Sequence, residues 1–219
     1  SRREAINFVE QQVRGELSSL DFLEEEEKND DAEVPSISLP GALEPISKVH
    51  EGATSYLESR GLTEQDMGIC RVLCLGSQAR KEDSVVFNPH GKVIGSLRGR
   101  FVIPIYHKGS LVSWQARVYD PNYSGKQKYI NAPGSNQKHY FWPDIDPKSD
   151  LVILVEGIFD ALACNKIISE HTTYCTFGKS VSKEQLDILR SNGVKGIILN
   201  YDLRDAKDQM VSLANRLKK

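Results

Sequence analysis

The chain is predicted to be an α+β protein: an N-terminal mixed subdomain of antiparallel hairpins and short helices, followed by an α/β subdomain with a mainly parallel sheet. Three observations predict this. Between Val85 and Tyr119, apolar runs are separated by turns only a few residues long, which is how hairpins read. From Leu151 onward, strand-like runs alternate with stretches of helical spacing, the rhythm of a parallel sheet with crossover helices. The first of those runs, Leu151–Val155, stops at Glu156-Gly157, just before the helical spacing of Phe159, Leu162, Ala163 and Ile167.

In chain order, Ala5, Val9, Val13 and Leu17 fall on one face of a leading helix, with Ile6 and Leu20 beside them. Residues 21–33 carry Asp21, Glu24, Glu25, Glu26, Glu27, Asp30, Asp31 and Glu33 against Lys28 alone, and prolines follow at 35, 40 and 45. Residues 1–45 are therefore read as a helix and a solvated, self-repelling linker. His50–Gly61 is a short amphipathic helix on Ala53, Tyr56 and Leu57, ended by Gly61. Val85–Phe87 and Val93–Ile94 flank the turn Asn88-Pro89-His90-Gly91, and Phe101–Tyr106 and Leu111–Tyr119 flank His107-Lys108-Gly109. Residues 46–145 form this first subdomain, with 141–150 as a joint. Residues 146–219 form the second: strand 151–155, helix 158–169, strand 173–177, helix 183–191, strand 194–201 and helix 205–218.

A length of 219 residues with 39% apolar content allows one good-sized domain or two small ones sharing an interface. The net charge of −2 is ordinary, no apolar run is long enough to cross a bilayer, and no signal-peptide pattern is present. Cys70, Cys74, Cys164 and Cys175 form no Cys-x-x-Cys pair and no neighbouring histidines supply a tetrahedral set, so no structural zinc is expected; Cys164, in a helix, and Cys175, in a strand, are read as buried thiols, and the Cys70/Cys74 spacing is too weak to support a metal. The absence of Met at position 1 is read as an excised piece of something larger.

Two features carry chemistry. Glu156 stands at the carboxyl end of a strand and Asp160 in the first turn of the next helix, at the edge of α/β sheets where ligands bind. Two carboxylates around a side-chain-free glycine suit a hard cation such as Mg²⁺ and the phosphates it holds. The plain alternative is that Asp160 complements the helix dipole. The second feature is charge. From Ser84 to Tyr140 the bases Lys92, Arg98, Arg100, Lys108, Arg117, Lys126, Lys128 and Lys138 face only Asp120, with tyrosines and Trp114 interleaved. That one-sidedness favours a polyanion, with aromatic rings available to stack on unpaired bases, over a merely basic surface.

With these residues in view, the chain resembles the catalytic core of bacterial and bacteriophage DNA primases. Glu156-Gly157-x-x-Asp160-Ala161 resembles the first signature of their topoisomerase–primase (TOPRIM) fold. YLESRGLT (56–63) is similar to the helix with which that core opens, RFVIPIYHKGSLVSWQARV (100–118) to its hairpin, KYINAP (128–133) to its basic Lys-Tyr-x-Asn segment, and Phe177-Gly178 to the link toward its second acidic strand. The likeness runs from about His50 to the end. It implies a basic subdomain beside a TOPRIM-like one, and synthesis of RNA primers on single-stranded DNA from ribonucleoside triphosphates. It further implies Mg²⁺ or Mn²⁺ at Glu156, Asp160 and Asp202, with Asp205 as a further metal ligand. Arg100, Arg117, Lys128, Tyr129, Asn131 and Lys138 would contact template, primer or triphosphate. Arg60 is read as capping its helix. A replicative helicase is the implied partner, and the bacterial or phage-infected cytoplasm, or an organelle of bacterial descent, the implied compartment.

The second acidic motif departs from the family's Asp-x-Asp. In Asn200-Tyr201-Asp202-Leu203-Arg204-Asp205, taking Asp202 first puts Arg204 in the second position, and taking Asp202 second puts Asn200 in the first. Asn offers a carbonyl oxygen to a cation, whereas Arg cannot bind one. Either way one carboxylate is missing from the pattern. Two rivals therefore stand beside the primase: a TOPRIM nuclease, and a degenerate module that binds single-stranded DNA and a helicase without catalysis.

Overall fold

The computed structural model describes residues 37–47, 50–120, 122–123, 125, 127–145, 150–168 and 172–201. The leading helix, the acidic run, Asp202, Asp205 and the helix expected over 205–218 lie outside these residues.

The first lobe is built on an antiparallel sheet of order β1-β2-β5-β6-β7, where β1 is Leu43–Pro45, β2 Leu73–Leu75, β5 Arg100–His107, β6 Ser110–Val118 and β7 Tyr129–Asn131. The β5–β6 hairpin is its spine. Lys108 and Gly109 both take positive φ, 50° and 78°, the turn whose twist matches that of paired strands. A second hairpin, β3 Val85–Phe87 and β4 Val93–Ser96, closes over the outer face around Val86, Leu97, Trp114 and Ile130. Its turn is held by Asn88, whose Oδ1 accepts from the amides of His90 and Lys92 at 3.0 and 2.9 Å.

Helix α1, Glu51–Ser59, buries Ala53 and Leu57 on the inner face of the sheet and ends at Gly61, at φ 78°. Helix α2, Glu64–Ile69, was not foreseen. It is only six residues long, but Thr63 and Asp66 close a reciprocal capping box at its start.

In the second lobe, β8 Leu151–Val155, β9 Thr172–Cys175 and β10 Gly196–Leu199 form a parallel sheet of order β10-β8-β9. Helices α3, Ile158–Ile167, and α4, Lys183–Ser191, cover opposite faces. Three of these elements are shorter than expected. Strand β9 stops at Cys175 because the backbone turns at Phe177 (φ 57°) and Gly178 (φ 151°), β10 stops at Leu199, and α3 stops at Ile167.

The stretch expected as a joint is partly sheet. Trp142 pairs antiparallel with Cys175, the two amides donating to each other's carbonyls at 3.3 and 2.7 Å. The lobes share one apolar core: Leu57, Phe101 and Ile105 pack in the same cluster as Trp142, Val155, Ile158 and Ala161. This continuity makes the angle between the lobes a packed quantity. All four cysteines are free thiols. Burial pushes Cys70 and Cys74 up to about 12, while Cys164 is only half-buried. Among the described residues no helix is long and apolar enough to cross a membrane.

Candidate functional site

The site grows from the carboxyl end of β8. Glu156 follows the strand directly, half-buried, and Asp160 stands exposed in the first turn of α3. Between them Gly157 is the N-cap of α3 in ordinary extended backbone, φ −125° and ψ 153°. The glycine is there for space. A Cβ on it would lie 2.8 Å from Asp160 Oδ2, so any side chain here would make that carboxylate shift from the place it takes over the strand–helix turn.

Beneath this corner Cys175 donates its thiol hydrogen to Glu156 O at 3.3 Å and accepts from the Phe177 amide at 3.2 Å. Its thiol is pushed up by burial and, beyond that, by the negative charges of Asp160 and Glu156. Tyr201 is pushed up to about 12, by burial first and also by Cys175 and the Glu156 charge. Asn200 follows β10, its amide bonded to Leu154 O at 2.9 Å and its side chain turned toward Cys164 Sγ at 3.9 Å, on the helix that carries Asp160. Among the described residues no set of three or more His, Cys, Asp or Glu comes together. The third acid expected from the sequence, Asp202, and its neighbour Asp205 lie outside them. Glu156 and Asp160 are carboxylates on adjoining elements, the donor chemistry that a hard divalent cation takes.

The basic lobe meets the acids through an aromatic floor. The Arg117 guanidinium lies 5.0 Å from the ring centres of both Phe159 and Tyr129 and 5.6 Å from Tyr56, and it donates to Tyr129 Oη. Arg60 stacks at 5.7 Å from Tyr56 and 6.0 Å from Phe159, with Nε donating to Tyr56 Oη at 3.3 Å. Its pKa is raised by that hydrogen bond first, with Asp160's charge acting in the same direction. Two planar cations are thus held against rings on both lobes, and Phe159 is the residue before Asp160. Arg60 does sit at the C-cap of α1, as expected, but its side chain belongs to this cluster. Its i, i+4 spacing from Tyr56 was the signal that could have found it.

The other expected contacts divide. Arg100 is only 4% exposed, its donors engaged by Lys128 O (2.8 Å), Gln127 O (2.6 Å) and Tyr123 Oη (3.0 Å), and burial lowers its pKa. It braces the loop that presents Lys128 to solvent. Tyr129 and Asn131 pair across the sheet with Arg117 and Gln115, and Asn131 Oδ1 accepts from Gln115 Nε2 at 3.1 Å. The intervening Ile130 packs in the opposite core, so both face the second lobe. Lys138 is exposed on the turn Gln137–His139 and reaches the Gly178 loop, where a Cβ would meet its Cε and Nζ at 3.9 Å. Arg117, with Tyr129 bonded to it, is therefore brought onto Phe159, the residue before Asp160, Lys138 to the turn after β9, and Arg100 inward.

The family model for Toprim-like proteins matches residues 153–218, the segment carrying both acidic motifs. No curated protein matches the chain. Solved structures do. A DnaG primase catalytic domain bound to single-stranded DNA is 17% identical with a TM-score of 0.56, over 76% of this chain and 61% of that one. The Aquifex aeolicus primase, comprising zinc-binding and RNA polymerase domains, is 21% identical with a TM-score of 0.59, over 75% and 46%. The E. coli primase catalytic core is 17% identical with a TM-score of 0.53, over 76% and 60%. The chain spans about three-fifths of the first and last of these and under half of the second. At these identities the likeness is one of fold: the chain has the fold of the bacterial primase catalytic core, an antiparallel lobe followed by a Toprim-like lobe.

Proposed function

We propose that the chain is a metal-dependent primase core, joining ribonucleotides into short primers on single-stranded DNA. One observation carries the reading: Arg117 and Arg60 are both stacked on Tyr56 and on Phe159, the residue before Asp160 in the first turn of α3. Carboxylates and ring-stacked guanidiniums on adjoining elements suit a nucleoside triphosphate, whose phosphates engage both.

Glu156 and Asp160, with Asp202 and Asp205 following β10 in the sequence, would hold Mg²⁺ or Mn²⁺. Such an ion, when bound, neutralises the triphosphate and lowers the pKa of the attacking 3′-hydroxyl. The protein's own part is positioning. Arg117 and Arg60 bind phosphate oxygens with their planar donors, and their stacking on rings limits the side-chain freedom lost when substrate arrives. Tyr129, 38% exposed, offers a ring face to a base. Lys128, on the loop braced by Arg100, and Lys138 take template phosphates, while Asn131, fixed by Gln115, supplies an amide to sugar or base. The likeness to a primase domain bound to single-stranded DNA supports that class of template.

The test is primer synthesis: the chain, single-stranded DNA, four ribonucleoside triphosphates and Mn²⁺ or Mg²⁺, with products resolved by length. Short RNA that disappears in Glu156→Gln supports the proposal. Cleavage of the DNA points to the nuclease, and DNA binding with neither reaction to the non-catalytic module.

A further inference from the structure

The two lobes leave between them a cleft of about 490 Å³, which neither Glu156 nor Asp160 lines. Its apolar walls come from both lobes and the joint: Ile69 at the end of α2, Pro104 on β5, Trp142 and Pro143 in the joint, and Leu162 on α3. Largely apolar clefts of about 300–1,000 Å³ where two domains meet are preferred places for small ligands.

The charged groups decide which ligand. Asp66, Arg71, Asp144 and Lys166 line the cleft, and three of them are engaged. Lys166 Nζ lies 2.5 Å from Asp66 Oδ2 and donates to Gly61 O at 2.6 Å. Asp144 accepts from the Gly109 amide at 3.2 Å and lies 3.6 Å from His107 Nδ1. Arg71 is different. Among the described residues its guanidinium has no hydrogen bond and no ion pair, and it rests on the Tyr106 ring, 4.8 Å from the centroid. A guanidinium held flat on a ring keeps its planar donors open to an oxyanion.

The backbone at Arg71 adds a second reason. The amides of Arg71 and Val72 close α2 by donating to Gly68 O and Met67 O, both at 3.0 Å. That closure puts Arg71 at φ 50°, where glycine is free of strain and an L side chain is not. Ending the helix would be served better by glycine, and the dipole of a six-residue helix is a weak reason for a cation there. Strain of this kind persists where a side chain is needed in that place.

We infer that the cleft is a binding site for a small aromatic monoanion of the aryl carboxylate class, its ring against the apolar walls and its carboxylate on Arg71. One open cation matches one charge, whereas a polyphosphate would set several negative charges beside Asp66 and Asp144. The inference goes beyond the metal-dependent reading and does not lean on it: a chain that makes no primers leaves it standing.

The experiment is isothermal titration calorimetry of the full 219-residue chain with naphthoate and with its uncharged counterpart naphthamide, beside thermal unfolding of each sample. Wild type is expected to bind the carboxylate at least roughly 10-fold more tightly than the amide, as a charge-assisted hydrogen bond would give. Arg71→Gly suits the left-handed backbone, so it is expected to unfold no lower than wild type and to lose the preference, binding both probes as wild type binds the amide. Leu162→Trp, which crowds the cleft from α3, is expected to weaken both probes by about 10-fold or more. A guanidinium that only braces Tyr106 predicts no preference for the carboxylate in wild type. That result overturns the inference, as does wild type that binds neither probe at millimolar concentration, or a folded Leu162→Trp that binds both unchanged. Arg71→Gly that still prefers the carboxylate overturns the role of the guanidinium and the inference with it. Metal-free ATP that displaces naphthoate better than benzoate does also overturns it, by making the cleft a site for polyphosphates.

Discussion

Replacing Gly157 with alanine separates the backbone from the site, because its φ of −125° and ψ of 153° suit any residue. The added methyl would meet Asp160 Oδ2 at 2.8 Å, where ordinary contact begins at 3.4 Å, so the carboxylate must move by the difference, 0.6 Å. Functional groups tolerate about 0.5 Å of misplacement before they fail. Metal affinity is therefore expected to fall roughly 10- to 100-fold. The stability cost is separate and small: alanine is a poorer N-cap than glycine, by about 1 kcal/mol, which is about 2–4 °C in unfolding temperature for a chain of this size. The assay is a Mn²⁺ titration beside a thermal melt. An alanine variant that binds Mn²⁺ like wild type would refute the argument that glycine makes room for the carboxylate. So would one whose loss of binding only follows its loss of fold.

Arg100→Ala is expected to destabilise by about 2–4 kcal/mol, because it strips partners from Lys128 O, Gln127 O and Tyr123 Oη around a buried site; urea unfolding measures this. Lys128→Ala, by contrast, should leave stability within about 0.5 kcal/mol and lower the salt dependence of single-stranded DNA binding by roughly one counterion. Arg117→Ala is expected to cut primer synthesis by about 100-fold or more while the fold persists, read as kcat and KM on the same preparation. Asp66 supplies the pH prediction. Burial raises its pKa, but bonds from Lys166 and Thr63 outweigh that and hold it at about 2, below its ordinary 3.8. A depressed carboxylate contributes stability above its unfolded pKa and loses it as pH falls toward the folded one, so the contribution fades between about pH 4 and 2. With solvent screening it amounts to about 1 kcal/mol, and Asp66→Asn should flatten the stability profile over that acid range in equilibrium unfolding.

How much of this was legible beforehand follows from where each signal resides. Hairpins β3–β4 and β5–β6 could be read because apolar runs meet at turns whose residues, Asn88 to Gly91 and Lys108-Gly109, have their own conformational chemistry. The β8–α3 unit was legible for the same reason: the switch of period and the Glu-Gly break are local. Strands β1, β2 and β7 were not. Each is three residues long and holds its extended form only because a neighbouring strand supplies the hydrogen bonds.

The site divides in the same way. Residue order by itself determined that Glu156, Gly157 and Asp160 share one strand–helix turn, since the five consecutive positions from 156 to 160 leave little choice of strand and helix geometry. It also determined that a basic, aromatic stretch precedes that turn. Only the tertiary structure decided which bases lie near it. Arg100 and Arg117 look alike in the sequence, yet lie on paired strands with opposite fates: one is buried beneath a loop, and the other is spread across rings from three separate segments. Arg60 reached Phe159, and Thr176 reached Tyr201, through the packing of the two lobes and of two parallel strands. Contacts between residues 25 and 99 positions apart depend on close packing, which no local pattern of residue types encodes.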